Sequence, residues 1–274
     1  MAPTAGVPEA LATATRHLFL SPHYDDIALS TGATVRLLAD NGRTPEVIVA
    51  FGSEPDPAEP LSSFAQTLHR QWGVTADAVI ATRQAEERAA TARLGATTSV
   101  LPFRDAIYRG HHYLSDDDLF GTPAATEASL PGDIVAALGL GQDAVPVTRV
   151  YAPLAIGRHV DHQLAFLAGH ALAARGWDVW FYEDIPYALA PGAFDTRLAE
   201  IAATGIGPVT SVPVAAGWRA KIDAVMSYPS QLETVFRQYV GVGTSRDEID
   251  AALLAYATAA GDGVPVERFW RLPG

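Results

Sequence analysis

The stretch of residues 21–26, which contains a histidine, His23, and two adjacent aspartates, Asp25 and Asp26, follows directly on the apolar residues 18–20. A short apolar run of this kind, bounded by a proline-marked turn, predicts a buried strand. Charged side chains beside a buried strand are destabilising unless they are paired or bind a metal ion. The cluster therefore predicts a functional site at the end of the first strand.

A second cluster of the same type lies far downstream. Residues 159–162, His-Val-Asp-His, come after the strand-like residues 147–152. Strand, helix and strand follow one another over residues 18–51, which predicts a parallel βαβ unit. Clusters that follow parallel strands lie at the carboxyl edge of the sheet, where open α/β sheets bind their ligands. We therefore expect the two clusters to converge on one site.

The order of the elements predicts an α/β fold: a single Rossmann-like three-layer domain over residues 1–274, with a mostly parallel sheet flanked by helices. Residues 46–51 are nearly all apolar, as is typical of a strand buried on both faces. Residues 109–145 contain many glycines, prolines and aspartates and predict a long loop excursion over the active edge, with at most one short helix. For residues 1–15 we predict disorder.

Composition excludes several classes of function. A hydrophobic content of 49% with 18% charged residues indicates a globular protein with a sizeable core, and the net charge of −12 disfavours nucleic acid and anionic membranes as partners. The chain has no cysteine, so any metal site must use histidine and carboxylate ligands. No signal peptide and no run of roughly 18 apolar residues is present. We expect a cytoplasmic protein that acts on a small molecule and does not insert into membranes.

Residues from both clusters suit a metal-dependent hydrolase. His23, Asp26 and His162 would give catalytic zinc three protein ligands and leave a position open for water. A neighbouring carboxylate that does not bind the metal can then take the proton of that water. His159 precedes His162 by one helical turn, so one imidazole could bind the metal while the other donates a hydrogen bond to the oxyanion and a proton to the leaving amine. Spacing alone leaves the roles of the two aspartates open, and the alternative for each cluster is a hydrogen-bonded structural histidine.

These motifs make the chain similar to the PIG-L/LmbE family of zinc-dependent N-acetylglucosaminyl deacetylases. The hallmarks of that family are a His-Pro-Asp-Asp turn after the first strand and a later His-x-Asp-His, which correspond here to residues 23–26 and 159–162. Residues 83–86 and the Leu-Gly of residues 94–95 look like the Arg-x-x-Glu…Leu-Gly stretch of the family. Asp105 looks like the family aspartate that reaches substrate hydroxyls.

The resemblance implies a zinc ion, or another divalent metal, on three ligands: His23, Asp26 and His162. It implies that Asp25 is the general base and that His159 is the general acid or an electrostatic stabiliser. Arg83 and Asp105 would hold the sugar. The alternatives are that Arg83 forms a solvated helix pair with Glu86, three residues on, and that Asp105 caps a turn.

The chain departs from the family at three positions. Tyr24 replaces the usual proline and Ile27 the usual glutamate. Some members carry a tyrosine two residues before the first histidine of the second motif, where it helps to polarise the carbonyl; here that position is Gly157. Oxyanion stabilisation would then fall to zinc and His159, or to Tyr24 or Arg158.

We therefore predict zinc-dependent hydrolysis of the N-acyl, in the simplest case N-acetyl, amide of an amino-sugar-bearing small molecule. The acidic chain and the excursion of residues 109–145 favour a bulky soluble substrate such as a glycosylated natural product. One alternative is a non-catalytic sugar-binding homologue, which the three departures suggest. Another is a metal phosphoesterase, which would require two metals and phosphate-binding basic residues, and no glycine-rich phosphate loop follows the first strand.

Overall fold

The computed structural model describes residues 9–75 and 78–273. Its strands are β1 Arg16–Ser21, β2 Glu46–Val49, β3 Thr97–Val100, β4 Thr148–Pro153, β5 Asp178–Tyr182, β6 Gly207–Pro213 and β7 Val266–Arg271. They form one sheet in the order β3-β2-β1-β4-β5-β7-β6. The first five strands of this order run parallel, whereas β7 is antiparallel to both β5 and β6. The predicted α/β fold with a mostly parallel sheet is confirmed.

Helices cover both faces of this sheet. Their bounds in the described residues are α1 Glu9–Ala12, α2 Asp26–Asp40, α3 Ser63–Gln71, α4 Val79–Leu94, α5 Asp116–Leu119, α6 Leu130–Ala137, α7 Val160–Ala173, α8 Ala193–Ile201, α9 Trp218–Val225 and α10 Arg246–Ala260. A π-helical segment spans Glu233–Gln238. Helices α2, α4 and α9 pack on one another, and α6 packs on α7. No helix in the described part of the chain is long and apolar enough to cross a bilayer.

The alternation of side chains along β1 divides the core into two layers. Leu18 and Leu20 are fully buried in the layer that contains Leu164 of α7. Phe19 points the opposite way and is buried in the layer that contains Leu38 of α2. Because successive side chains of a strand point to opposite faces, a strand covered on both faces must be apolar throughout. Strand β1 is therefore central to both layers.

The strand order reverses beside β1, and this reversal positions the site. From β1 the chain passes through α2 to β2 on one side, while β4 pairs with β1 on the other side, with Arg16 opposite Thr148. In doubly wound sheets the crevice at such a reversal, outside the carboxyl ends of the strands, is the ligand-binding position. Both predicted clusters follow the two strands that flank this crevice.

The structure changes two sequence predictions. The excursion of residues 109–145 contains helices α5 and α6 and further 3₁₀ turns, more than the one short helix expected. It is held together by Glu127, which accepts hydrogen bonds from Arg109 and from the hydroxyl of Tyr113. Of residues 1–15, for which we predicted disorder, residues 9–12 form α1, while residues 1–8 lie outside the described residues.

Candidate active site

The first cluster lies in the turn between β1 and α2. The backbone N–H of His23 donates a hydrogen bond to Asp26 Oδ2 over 2.7 Å. Ser21 Oγ donates to the carbonyl of His23 over 2.6 Å, which closes the turn. Asp25 is the N-cap residue of α2, and Asp26 is its first residue. Because the turn folds back on itself, the side chains of His23 and Asp26 lie on the same side of it. The side chains of His23, Asp25 and Asp26 are all buried.

The second cluster lies in the turn between β4 and α7. His159 is the N-cap residue of α7, where its Nδ1 accepts a hydrogen bond from the backbone N–H of Asp161 over 3.2 Å. His162 follows in the first turn of the same helix. The short polar cap therefore fixes both histidines at the carboxyl end of β4, beside the end of β1.

The two clusters converge. The ring centroids of His23 and His162 are 5.3 Å apart, and those of His23 and His159 are 4.8 Å apart. Ring nitrogens of these three histidines all lie within 4.8 Å of one another. Residues separated by well over a hundred positions thus share one buried site, as the predicted sheet topology required.

A carboxylate orients each of two histidines. His162 Nδ1 lies 2.6 Å from Asp184 Oδ1, and His23 Nε2 lies 3.0 Å from Asp161 Oδ2. An ionised carboxylate only accepts hydrogen bonds, so these ring nitrogens carry a proton. In the neutral form that binds a metal, the opposite ring nitrogens therefore carry the lone pairs. Such carboxylate–histidine pairs are the usual support of metal-ligating imidazoles.

The nitrogens with lone pairs face Asp26. His162 Nε2 is 3.4 Å from Asp26 Oδ1, and His23 Nδ1 is 3.5 Å from Asp26 Oδ2. His162 Nε2 is also buried and has no hydrogen-bond partner among the described residues. Two imidazole lone pairs and a carboxylate that face one point are a donor set for a divalent metal, so the residues present fit the predicted ion.

A second group of donors, His23, Asp105 and Asp161, also lies within 4.8 Å. We do not assign it as the metal site, because Asp161 is already engaged. Its Oδ1 forms an ion pair with Arg109 Nη1 at 2.7 Å, and its Oδ2 accepts a hydrogen bond from the backbone N–H of Ala106 over 3.0 Å. Burial alone would raise the pKa of Asp161, but Arg109 and His23 outweigh burial and lower that pKa. Asp161 therefore stays ionised and positions His23.

Arg83 is buried between two carboxylates. Its Nη2 lies 3.6 Å from Asp25 Oδ1 and its Nη1 lies 3.7 Å from Asp105 Oδ2, while its guanidinium stacks over the ring of Trp72 at 5.2 Å. The alternative of a solvated helix pair is therefore wrong. Asp105 does cap a turn, since it accepts from the N–H of Ile107, and it also faces the site. Burial and the nearby Asp26 raise the pKa of Asp25, whereas Arg83 opposes that rise.

His159 is a neutral imidazole whose ring N–H points away from the backbone. Burial and the neighbouring His23 lower the pKa of His159 well below its ordinary value. Because Nδ1 accepts the N–H of Asp161, the proton of the neutral ring resides on Nε2. His159 can therefore offer an N–H donor to an oxygen in the site without first being protonated.

These groups line a small cavity of about 50 Å³. A single water needs roughly 10–15 Å³ of such space, so the cavity holds a few waters or a small acyl group. The residues that line it include His23, Asp25, Asp26, Arg83, Asp105, His159, Tyr187 and Tyr239.

Two residues considered for oxyanion stabilisation are engaged elsewhere. The hydroxyl of Tyr24 donates to the carbonyl oxygen of Gly52. Arg158 pairs with Glu200 over 2.8 Å at the surface. Neither Tyr24 nor Arg158 lines the cavity, so their contacts do not support a hydrogen bond from either residue to the oxyanion.

Sequence reasoning missed Asp184 and Arg109 as parts of the site. Asp184 follows β5, and its other oxygen accepts the N–H of Ile156 over 3.0 Å, which ties it to the turn after β4. The position of Asp184 in the sequence could have indicated its role, because Asp184 follows a parallel strand, as both clusters do. Glu86 has a structural role, since both of its oxygens accept hydrogen bonds from Ser230. His111 and His112, which the sequence places in the excursion, are exposed.

Comparisons with known proteins agree with this geometry. The model of the PIG-L family, described as GlcNAc-PI de-N-acetylase, matches residues 18–173. A 2'-N-acetylparomamine deacetylase of Niallia circulans is 31% identical over 189 residues, 62% of this chain and 66% of that relative. A 2'-N-acetylparomamine deacetylase of Streptomyces fradiae is 31% identical over 231 residues, 80% of this chain and 74% of that relative.

A solved structure shares the fold over almost its whole length. The zinc-inhibited form of teicoplanin deacetylase Orf2 superposes with a TM-score of 0.73 at 26% identity, covering 93% of this chain and 97% of that chain. The predicted fold and family are confirmed, and these relatives carry the predicted activity in their names. By its sequence, its sheet and its paired motifs, this chain belongs to the PIG-L family.

Proposed function

We propose that this chain removes the N-acetyl group from an amino-sugar-bearing small molecule by zinc-dependent hydrolysis. The observation that carries the proposal is the convergence of His23, Asp26 and His162 on one point. Each histidine is held by a carboxylate through its other nitrogen, at Asp161 and Asp184. This arrangement leaves a buried donor set and, beside it, the carboxylate of Asp25.

Zinc is the metal that this donor set suits best. Catalytic zinc takes three nitrogen and oxygen ligands and keeps one position open. When bound, it lowers the pKa of water and polarises the carbonyl of an amide. The Orf2 structure is that of a zinc-inhibited form, which associates zinc with that relative. His23, Asp26 and His162 would hold the ion.

The other side chains of the site would take the remaining catalytic and substrate-binding roles. Asp25 would accept the proton of the attacking water and pass it to the nitrogen of the leaving amine as the amide C–N bond breaks. Its raised pKa suits both transfers. The guanidinium of Arg83, 3.6 Å from Asp25 Oδ1, favours the ionised form of Asp25 and opposes the rise in its pKa. The Nε2–H of His159 donates to the developing oxyanion, and a donor of this kind typically contributes about 10²-fold or more in rate. Asp105 is placed to accept a hydrogen bond from a sugar hydroxyl.

The substrate class follows from the relatives and the surface. Two relatives are named for 2'-N-acetylparomamine and a third for teicoplanin. We propose a soluble glycosylated natural product as the substrate of this chain, and the cytoplasm as the place of reaction. The net charge of −12 agrees with a substrate that is not an anionic lipid surface.

Acetate release from N-acetylglucosaminyl compounds tests the reaction, with metal content measured on the same samples. Asp25→Asn should retain its zinc and lose about 10²–10⁴-fold in kcat, because only the proton acceptor is removed. Asp133→Asn is a matched control, since Asp133 lies in the first turn of a helix but is exposed. Absence of acetate from every compound would indicate a sugar-binding homologue, and phosphate release from 4-nitrophenyl phosphate would indicate a phosphoesterase.

A further inference from the structure

A second, larger cavity lies beside the catalytic one. Its volume is about 340 Å³, within the range of small-molecule sites. Tyr187 and Tyr239 line both cavities, so the two cavities are adjacent and share these side chains as a common wall. We call the larger one the distal cavity; its other walls include Phe120 of the excursion and Ala193 of α8. No part of the proposed reaction uses it.

One wall of the distal cavity is aromatic. Phe120 and Tyr239 meet edge to face with centroids 5.3 Å apart, and Tyr187 stacks on Tyr239 at 6.0 Å. Phe120 also contacts the ring of His159 edge-on at 5.6 Å, which connects this wall to the catalytic site. The three rings are only half-buried, so they present surface to the cavity. Aromatic rings of this kind attract organic cations through their electron-rich faces.

The charge of the distal cavity is negative. Asp116 is the one charged side chain among the described residues that line it, and its carboxylate is exposed. The neighbouring Asp118 is engaged, since it accepts hydrogen bonds from Ser115 and from the N–H of Leu114. Asp117 is exposed but does not line the cavity. An aromatic wall with one carboxylate is a recognition surface for an ammonium group.

We propose that the distal cavity binds the second ring of the substrate, and that this ring carries ammonium groups, as an amino sugar or an aminocyclitol does. This inference rests on the proposed function. The acetylated sugar occupies the catalytic cavity, and the next ring extends past Tyr187 and Tyr239 into the distal cavity. There the aromatic faces and Asp116 attract its positive charge. A neutral ring in the distal cavity would make van der Waals contacts only, without this electrostatic attraction.

Three substrates separate charge from size. 2'-N-acetylparomamine has a cationic second ring, N,N'-diacetylchitobiose has a neutral second sugar, and 4-nitrophenyl N-acetylglucosaminide has a neutral aromatic group. The wild-type protein should have its highest kcat/KM on the cationic substrate. Asp116→Asn should lower the ratio of kcat/KM for the cationic over the neutral disaccharide about three- to fivefold, the size typical of an exposed ion pair. Added salt should shrink this difference.

Asp117→Asn is the matched control, because it removes the same charge from the same helix outside the cavity. An equal effect of the two variants, or a preference for the aromatic substrate, would overturn the inference. Calorimetric binding of paromamine, the deacetylated product, tests whether the distal cavity binds a cation without relying on turnover. If no substrate releases acetate but Asp116→Asn still weakens paromamine binding, the proposed function fails and the cation site stands. Equal binding by wild type and both variants would reject the cation site.

Discussion

The ring of Tyr187 lies against the backbone of Gly157, in the space that a side chain at position 157 would occupy. A Cβ built on Gly157 would stand 2.6 Å from Tyr187 Cγ, and φ at this residue is +83°. Two independent features therefore require glycine: a left-handed backbone and the closely packed ring. Some family members carry a tyrosine at this position; here the ring of Tyr187, from another segment, lies beside Gly157 and lines the catalytic cavity.

Gly157→Ala should destabilise the protein and displace Tyr187. A positive φ costs a non-glycine residue roughly 1–2 kcal/mol, and the clash with the ring adds to that cost. Gly176→Ala is the matched control, because φ there is +86° and nothing lies within 4 Å of its added Cβ. Urea unfolding of both variants should show the larger loss for Gly157→Ala. Equal losses would mean that the ring moves aside without cost.

Asp184→Asn should weaken metal binding without removing a ligand. The amide leaves His162 without the carboxylate that fixes its tautomer and orientation. Loss of such a partner typically lowers metal affinity about 10–100-fold. Competition with a chelator measures this affinity. Glu183→Gln is the control, because Glu183 is the preceding residue and is also buried, but it contacts Arg268 and Trp270 away from the site. The Glu183→Gln variant should therefore bind metal as tightly as the wild type.

The sequence predicted the parallel half of the fold well, because its signals are local. Strands buried on both faces are continuously apolar, as in residues 18–20 and 46–51, and the connecting helices end at glycine, as α4 does at Gly95. The placement of β7 between β5 and β6 could not be read from these patterns, since it depends on long-range pairing. Neither could the π-helical segment of residues 233–238, which carries no distinct sequence pattern.

The site was predictable to the extent that topology determines it. His23 and His162 each follow a strand, and neighbouring parallel strands bring such residues together. The support of each histidine was not predictable. Asp184 reaches His162 only because β5 lies beside β4, and Arg109 reaches Asp161 from an excursion whose course has no periodic signal.

Glu87 should make the stability of the protein depend on pH. It is buried and accepts a hydrogen bond from the Tyr228 hydroxyl over 2.6 Å, and burial raises the pKa of Glu87 from 4.5 to about 8. The folded state therefore keeps this proton where the unfolded state has released it. The free energy of unfolding should fall as pH rises from about 4.5 to about 8, by up to about 1.4 kcal/mol per pH unit.

Glu87→Gln removes this titration and should flatten the dependence. Denaturant unfolding at several pH values gives the difference between wild type and variant, which isolates Glu87 from the other titrating groups. The exposed Glu54→Gln variant controls for the change of charge. A wild-type curve that stays parallel to that of Glu87→Gln between pH 4.5 and 8 would show that Glu87 is ionised in the folded protein.

A buried ion pair supports a kink in α2 behind the site. Helix α2 departs from helical geometry at Thr31, and Glu267 accepts the backbone N–H of Ala33 and Thr34 just beyond it. Lys221 Nζ neutralises this carboxylate over 2.7 Å. Both charged groups are buried, so removing one of them leaves the other without compensation.

Lys221→Met should therefore cost about 3 kcal/mol or more, since an isolated buried carboxylate remains. The double variant with Glu267→Gln should recover part of that loss, because glutamine can still accept the two backbone N–H groups without a charge. A double-mutant cycle of urea unfolding measures the coupling between the two side chains. If the losses of the single variants simply add, the pair is not coupled, and the two backbone hydrogen bonds alone stabilise the kink.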